Sequence, residues 1–252
     1  MLISLIPFFL CWGSFLNVLG FRLIQGIDVI VTPSFCPHCS SRIAWYDNIP
    51  VVSWLILNGS CRSCHQPISW LYPFIELLTA LCLSLVVLYT PSQYWFAYGL
   101  FVSALIVTVR SDLETMLISR VVTLYALPLG WLCSWLGWLP ISIVESLFGS
   151  LVGYAMLWIV SRSYFLIKGQ EGMGEGDLEL LAFIGSFTGP LGCWAAVLIG
   201  SITGTLAGII QIMRQGKSER IPFGPFLALG AFIFILTCSH FFDLLGILWN
   251  PS

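Results

Sequence analysis

Hydropathy along this chain is segmented. Apolar runs at about 2–21, 71–90, 94–110, 120–138, 141–161, 178–191, 192–213 and 225–249 alternate with short polar or turn-forming breaks. The breaks include Thr-Pro-Ser-Gln at 90–93, Trp-Leu-Pro at 138–140 and a Gly/Pro turn at 189–192. A run of roughly 20 apolar residues is long enough to cross a bilayer as a helix. The pattern predicts an all-α polytopic membrane protein with about eight transmembrane helices. The sixth run is short and suits half of a re-entrant or tilted pair. One long polar stretch, 22–70, interrupts the series. It divides the chain into a first transmembrane helix (1–21), a cytoplasmic insert (22–70) and a transmembrane bundle (71–252).

Composition agrees with this reading. Of 252 residues, 58% are hydrophobic and 9% are charged, against about 25% charged in a soluble domain. There are too few polar side chains to cover a water-facing globule, so the expected surroundings are membrane lipid. Eighteen Phe and eleven Trp fit a lipid-facing surface with interfacial aromatic belts. A net charge of −2 and the lack of a basic patch exclude a nucleic-acid binder.

Charge also orients the chain. The first charged residue, Arg22, follows the first apolar run, unlike a cleavable signal peptide, which begins with a positive segment. With the N-terminus outside, the inner segments are about 22–70, 110–120, 162–177 and 214–224. All ten basic residues fall there: Arg22, Arg42, Arg62, Arg110, Arg120, Arg162, Lys168, Arg214, Lys217 and Arg220. This is the bias the positive-inside rule expects. It supports span count and orientation together, because one missed span would invert every later loop.

Two pieces of chemistry stand out. The first is in the insert, where Cys36-Pro-His-Cys39 and Cys61-Arg-Ser-Cys64 form two CxxC pairs. Four thiolates in two such pairs suit a tetrahedral structural zinc. A metal would also supply much of the folding free energy of so small an insert. Disulfides and free thiols are the competing readings, and a reducing cytoplasm disfavours disulfides. His38 and His65 adjoin the pairs as bystanders. Cys11, Cys82, Cys133, Cys193 and Cys238 lie singly in apolar runs and read as small packing residues.

The second is a pair of aspartates, since acidic groups near spans are costly and need a reason. Asp112 follows the third run. Asp177 closes Gly172-Met-Gly174-Glu-Gly176-Asp at the start of the sixth. The predicted topology puts both at one membrane border, 65 positions apart in the chain. Two carboxylates that meet cannot both ionise cheaply, so they would share a proton. That is the arrangement of an aspartyl protease: one carboxylate takes a proton from water while the other donates to the scissile carbonyl. Glycines 172, 174 and 176 would let the loop backbone approach an extended peptide. A phosphate loop would need a preceding strand, which nothing here supplies. Asp177 as a plain helix N-cap stays open beside catalysis.

These motifs resemble the type IV prepilin peptidases, bifunctional leader peptidases and N-methyltransferases with a Gly-x-Gly-Asp loop. The similarity extends over nearly the whole chain. It includes GSFLNVLGFR at 13–22, both CxxC pairs, DNIPVVSWLILNGSCRSC at 47–64, ISWLYPFIE at 68–76 and IPFGPFLALG at 221–230. It implies cleavage of prepilins and type II secretion pseudopilins after a short basic leader, at the cytoplasmic face of the inner membrane. The new N-terminal residue would then be methylated from S-adenosyl-L-methionine. Asp112 and Asp177 match the catalytic pair, and Cys36, Cys39, Cys61 and Cys64 the tetracysteine site.

Two positions depart from the family's habit. Ile118-Ser119-Arg120 stands where Ile-Pro-Asn or Ile-Pro-Asp is common, and Glu179 stands where a Lys often follows the second aspartate. Glu114, Glu171, Glu175 and Glu179 form an acidic rim near the aspartates, expected to draw in a basic leader. No Rossmann fingerprint marks a methyl-donor site. Arg22, Asp47, Asn48 and Glu76 are candidates for contacting the donor or the amine, and IPFGPFLALG is expected to pack its Gly/Pro-rich start near the aspartates. The competing classes are a proton-coupled transporter, which would hold its acids near mid-membrane and often show a repeat, and a zinc-stabilised assembly scaffold.

Overall fold

A computed structural model describes residues 2–28, 33–170, 172–216 and 220–244 of the chain. The described residues form helices, turns and two isolated β-bridges, and divide into two compact units, Met1–Leu88 and Tyr89–Ser252.

In the first unit, α1 (Leu2–Gln25) and α3 (Leu71–Tyr89) run antiparallel. Their contact is tight because α1 presents a glycine. A Cβ on Gly13 would lie 2.9 Å from both Glu76 Cα and Thr79 Cβ. Helices in lipid gain their association from such close packing, since lipid is as apolar as leucine. Asn17 adds a hydrogen bond, its Nδ2 donating to the Tyr72 carbonyl at 2.8 Å. Among its described residues, the insert between the two helices holds a 3-10 turn (Trp45–Asn48) and one short α-helix, α2 (Val52–Ile56).

The second unit begins with α4 (Trp95–Thr115), followed by α5 (Leu127–Trp135) and α6 (Ile143–Lys168). It ends with α7 (Glu175–Gln215) and α8 (Gly224–Leu244). At 1.5 Å per residue, the 41 residues of α7 would extend about 60 Å, twice a bilayer core. Gly189 resolves this. Its φ of 68° and ψ of −174° belong to a region open essentially to glycine alone, and Pro190 then starts a new helical arm without needing an N–H donor. The chain reverses there. Cys193 Sγ reaches the Leu181 carbonyl at 3.7 Å, twelve residues back and about 18 Å away along a straight helix. The first arm (175–188) and second arm (190–215) are thus separate segments, matching the expected break at 189–192.

The first arm is the centre of this unit. On one side, Gly149 and Gly153 of α6 press against it, and a Cβ on Gly153 would meet the Leu181 carbonyl carbon at 2.8 Å. On another, Phe183 and Phe187 cluster with Phe101 of α4, with ring centroids 4.9–5.7 Å apart. α8 lies antiparallel to the second arm, with Gly230 against Ala196 and Gly200 against Phe226. Of the single cysteines, Cys82, Cys133 and Cys193 are buried as packing residues, while Cys11 is exposed.

Among the described residues, five helices are long and apolar enough to cross a membrane: Ile3–Gln25, Leu71–Tyr89, Ser92–Thr115, Ile143–Lys168 and Glu175–Arg214. The fifth is the bent α7. α8 contains a shorter apolar stretch, Gly224–Thr237, and residues 245–249 lie outside the described ones. The expected helix at 120–138 is corrected: its helical part is the nine residues of α5. Pro128 in its first turn favours a start there, and Gly137, at φ +72°, follows its end. The stretch nevertheless traverses the unit. Ile118 lies by Gly176, Gly130 by Ser186 and Ile141 by Gly189, so residues 118–141 run parallel to the whole first arm. The stretch is thus packed along the first arm although its regular helix is short.

Gly185→Leu should lower unfolding free energy by about 1–3 kcal/mol, the usual cost of overpacking, because a Cβ there would lie 2.4 Å or less from the Gly149 carbonyl group. Gly99→Ala, which opens onto empty space, should leave stability unchanged. Thermal unfolding of both variants in detergent checks this.

Candidate active site and metal centre

The carboxylates at 112 and 177 come within electrostatic reach of each other at one end of the second unit. Asp112 sits on the last turns of α4 and is buried, with 4% of its surface exposed. The helix stops just after it. Met116 adopts a left-handed conformation, φ 55°, and donates its N–H to the Asp112 carbonyl at 2.9 Å. The chain then turns back, which brings Ile118 under the aspartate. Asp177 lies in the first turn of α7 and is half-buried. It falls within electrostatic reach of Asp112.

Asp177 is not the helix cap. That position belongs to Gly174, with no side-chain capping bond, and the Asp177 N–H donates to the Gly174 carbonyl at 3.3 Å. An acidic group in the first turn is favoured by the helix dipole, but its carboxylate is left facing Asp112 and the loop.

Glycine is required where the elements converge. Ile118 is wedged between two of them. A Cβ on Gly176 would lie 2.9 Å from Ile118 Cβ, and one on Gly224 would lie 2.6 Å from Asp112 Oδ2 and 3.3 Å from Ile118 Cδ1. Gly224, at the start of α8, also donates its N–H to Asp112 Oδ2 at 3.0 Å in a buried hydrogen bond. The start of IPFGPFLALG therefore does pack beside the aspartates and supplies a backbone donor. The motif's Gly-Pro pair was the signal; the donor role needed coordinates. Gly172 packs on the ring of Tyr164, while Gly174 is open apart from Asp177 Oδ2 at 3.9 Å.

The acidic rim is partly neutralised, with two arginines against three glutamates. Arg110 pairs with Glu114. Arg120 pairs with Glu175 at 2.7 Å and with Glu179 at 2.9 Å. Glu179 is 6% exposed and also accepts from the Thr123 hydroxyl at 3.3 Å. Glu171 lies outside the described residues. The expected field of negative charge is therefore reduced, though not cancelled, at Glu114, Glu175 and Glu179.

In the first unit, the sulfurs of Cys36, Cys39, Cys61 and Cys64 all lie within 4.8 Å of one another. Cys36 and Cys64 sulfurs are 3.8 Å apart, which equals the edge of a tetrahedron with metal–sulfur bonds of about 2.3 Å. The two pairs share one local design. Ser40 and His65 follow them, both at φ +57°. Each donates its N–H back to the first cysteine carbonyl, at 2.8 and 2.9 Å. A short bridge closes each loop, Phe35 with Arg42 and Ser60 with Pro67. All four cysteines are free of disulfides. Their donor set fits a zinc ion, and neither His38 nor His65 belongs to it.

Three of the candidates for the methyl-transfer site have internal partners. Arg22 is buried and donates to the Asp28 and Pro33 carbonyls. Glu76 is buried and accepts from the Val51 N–H at 2.8 Å. Asp47 takes a bidentate bond from Arg62, at 2.6 and 2.9 Å, and this guanidinium holds its carboxyl below the usual range. Asn48 is exposed.

Comparison with known proteins agrees with this layout. A family model described as the bacterial peptidase A24 N-terminal domain matches residues 8–90, and one described as the type IV leader peptidase family matches residues 99–209. A prepilin leader peptidase/N-methyltransferase of Aeromonas hydrophila is 37% identical, over 91% of this chain and 88% of that protein. The chain belongs to the type IV leader peptidase family. A family relative from Pectobacterium carotovorum subsp. carotovorum, of the same description, is 34% identical over 86% of each chain. Another from Escherichia coli O78:H11, a type 4 prepilin-like proteins leader peptide-processing enzyme, is 36% identical over 86% of this chain and 87% of its own. No solved structure matches. The boundary between the two matched regions, near residue 90, falls where the two compact units of this leader peptidase family member divide.

A valine at 224 would crowd the Asp112 carboxylate. Gly224→Val should cost roughly 1–3 kcal/mol of stability, whereas Gly208→Ala, whose Cβ would meet only Ile221 at 3.7 Å, should not. Denaturant or thermal unfolding in detergent distinguishes the two.

Proposed function

We propose that this protein cleaves the short basic leader of type IV prepilins and type II secretion pseudopilins and N-methylates the residue so exposed. The observation that carries the proposal is the meeting of Asp112 and Asp177, brought from two helices to one end of the bundle within electrostatic reach and walled by glycine backbone. The descriptions of the relatives support it.

In the proposed mechanism the dyad holds a single proton. The ionised carboxylate takes a proton from a water molecule, and the protonated one donates to the scissile carbonyl oxygen as water attacks its carbon. Collapse then breaks the C–N bond, with a proton passing to the leaving amine. The Gly224 N–H orients Asp112, so that one oxygen is committed to the protein and the other is free for chemistry. Gly172, Gly174 and Gly176 form the loop along which the extended leader lies. The inner-membrane orientation proposed is N-terminus outside, with the dyad at the cytoplasmic face, in keeping with the distribution of Lys and Arg.

A zinc ion held by Cys36, Cys39, Cys61 and Cys64 would cross-link the insert, which has little core of its own. S-adenosyl-L-methionine would supply the electrophilic methyl group. Arg22, Asp47 and Glu76 do not form a cradle for it, because each is committed to contacts inside the first unit, so no step is assigned to them.

Asp112→Asn and Asp177→Asn should each abolish leader removal, a loss of at least about 10³-fold, while leaving the melting temperature within a few degrees. Mass spectrometry of a co-expressed prepilin reads the cleavage point and any added 14 Da methyl together; intact leader with wild-type enzyme, or cleavage by either variant, counts against the proposal. Steering by open charge raises association by roughly 10–10³-fold and collapses with salt. With the rim paired, kcat/KM should instead change less than about threefold between low and physiological salt, measured on a short-leader substrate. Metal analysis of the purified chain should find zinc, lost on Cys61→Ser.

A further inference from the structure

Arg120 is mounted on the segment that leaves Asp112 and is bonded to the helix that carries Asp177. Its guanidinium reaches Glu175 and Glu179, two positions before and two after that aspartate. Residues four apart share a helix face, while residues two apart lie on nearly opposite ones. The fork therefore grips the back of the first turn of α7 and leaves the Asp177 face free. The same segment touches this turn twice more. Ile118 abuts Gly176, and Thr123 donates to the buried Glu179.

The two departures noted in the sequence are therefore partners in one ion pair. Arg120 and Glu179 carry opposite charges and meet at 2.9 Å. Taken singly each change puts an unexpected charge beside the aspartates; taken together they cancel. Glu179 is buried, and a buried carboxylate stripped of its cation is costly, so loss of Arg120 bears on the helix that carries Asp177.

We propose that Arg120 and Glu179 are positioning residues that fix the rotation and approach of the first turn of α7, and through it the placement of Asp177 against Asp112. The pair acts through the helix turn and is not part of the aspartate dyad. Its effect is on alignment, and a misplacement of about 1 Å can cost roughly 100-fold in rate. This inference rests on the leader-peptidase reading above.

The test is a charge swap in the full chain, purified in detergent and assayed on a prepilin substrate with a short basic leader. Arg120→Asp and Glu179→Lys should each lower kcat by about tenfold or more, a larger change than in KM. The double variant R120D/E179K should regain kcat to within about threefold of wild type. A further pair, R120Q/E179Q, removes both charges without leaving one buried alone; it should fold with a wild-type melting temperature and keep a kcat deficit. Single variants that cleave like wild type overturn the proposal, as does a swap no better than the worse single variant. So does a Gln pair as fast as wild type. If the wild-type chain itself leaves the leader intact, the leader-peptidase reading fails and this inference falls with it; wild-type cleavage that is indifferent to Arg120 sinks this inference alone.

Discussion

The second unit is organised around one buried contact, the hydrogen bond from the Gly224 backbone to Asp112 Oδ2 at 3.0 Å. A carboxylate at 4% exposure cannot be left without a partner, since an unsatisfied buried polar group costs on the order of 1–3 kcal/mol or more. Supplying the donor from a helix start has geometric consequences. The N-terminus of α8 must come to the end of α4, which leaves room between them only for Ile118, and Ile118 in turn demands glycine at 176 and 224. Three elements separated widely in sequence are locked together by one small wedge, and the half-buried Asp177 is carried into place with them.

How much of this is legible from residues alone depends on the physics involved. The spans were legible because bilayer thickness fixes their length, and the bend in α7 because Gly-Pro punctuates a helix in any setting. The stretch 118–141 was not. Its hydropathy is that of a spanning helix, yet only Leu127–Trp135 is one. Hydropathy reports which residues avoid water, not which backbone groups find helical partners. Buried against the first arm of α7, irregular backbone is tolerated at depth, because it is covered by protein rather than lipid. No one-dimensional pattern carries that information.

Charge shows the same limit more sharply. Counting Glu114, Glu175 and Glu179 along the chain predicts a negative rim. The folded unit instead sets Arg110 against the first and Arg120 against the other two. The arithmetic was available in sequence, since both arginines lie within ten positions of Asp112, but the pairing of 120 with 179 spans 59 positions and follows from the turn at Met116. Similarly, Asp47 and Glu76 read as candidate ligands because buried or lone acids in an insert ask for a purpose. Arg62 and the Val51 N–H supply it.

The insert illustrates why the tetracysteine motif was readable while its surroundings were not. A CxxC pair specifies its own geometry: two sulfurs on one side of a loop closed by short-range bonds, repeated at Ser40 and His65 with the same backbone angle. Such a unit is nearly independent of context, so spacing alone predicts it. What the rest of the insert lacks is a core. Trp45, Leu55, Ile56 and Trp70 are exposed at 60–80%, and α2 has five residues, far below what stabilises an isolated helix. Two loops that each fix one pair of sulfurs gain little from hydrophobic burial, but they can share one ion at the cost of closing a single loop of 21 residues between them. Loop closure grows only slowly with length, whereas metal–thiolate binding contributes on the order of 10 kcal/mol or more. The first unit thus combines the Gly13 contact of α1 with α3 and a four-cysteine cluster able to hold a metal, whereas the second is held by glycine-mediated helix packing.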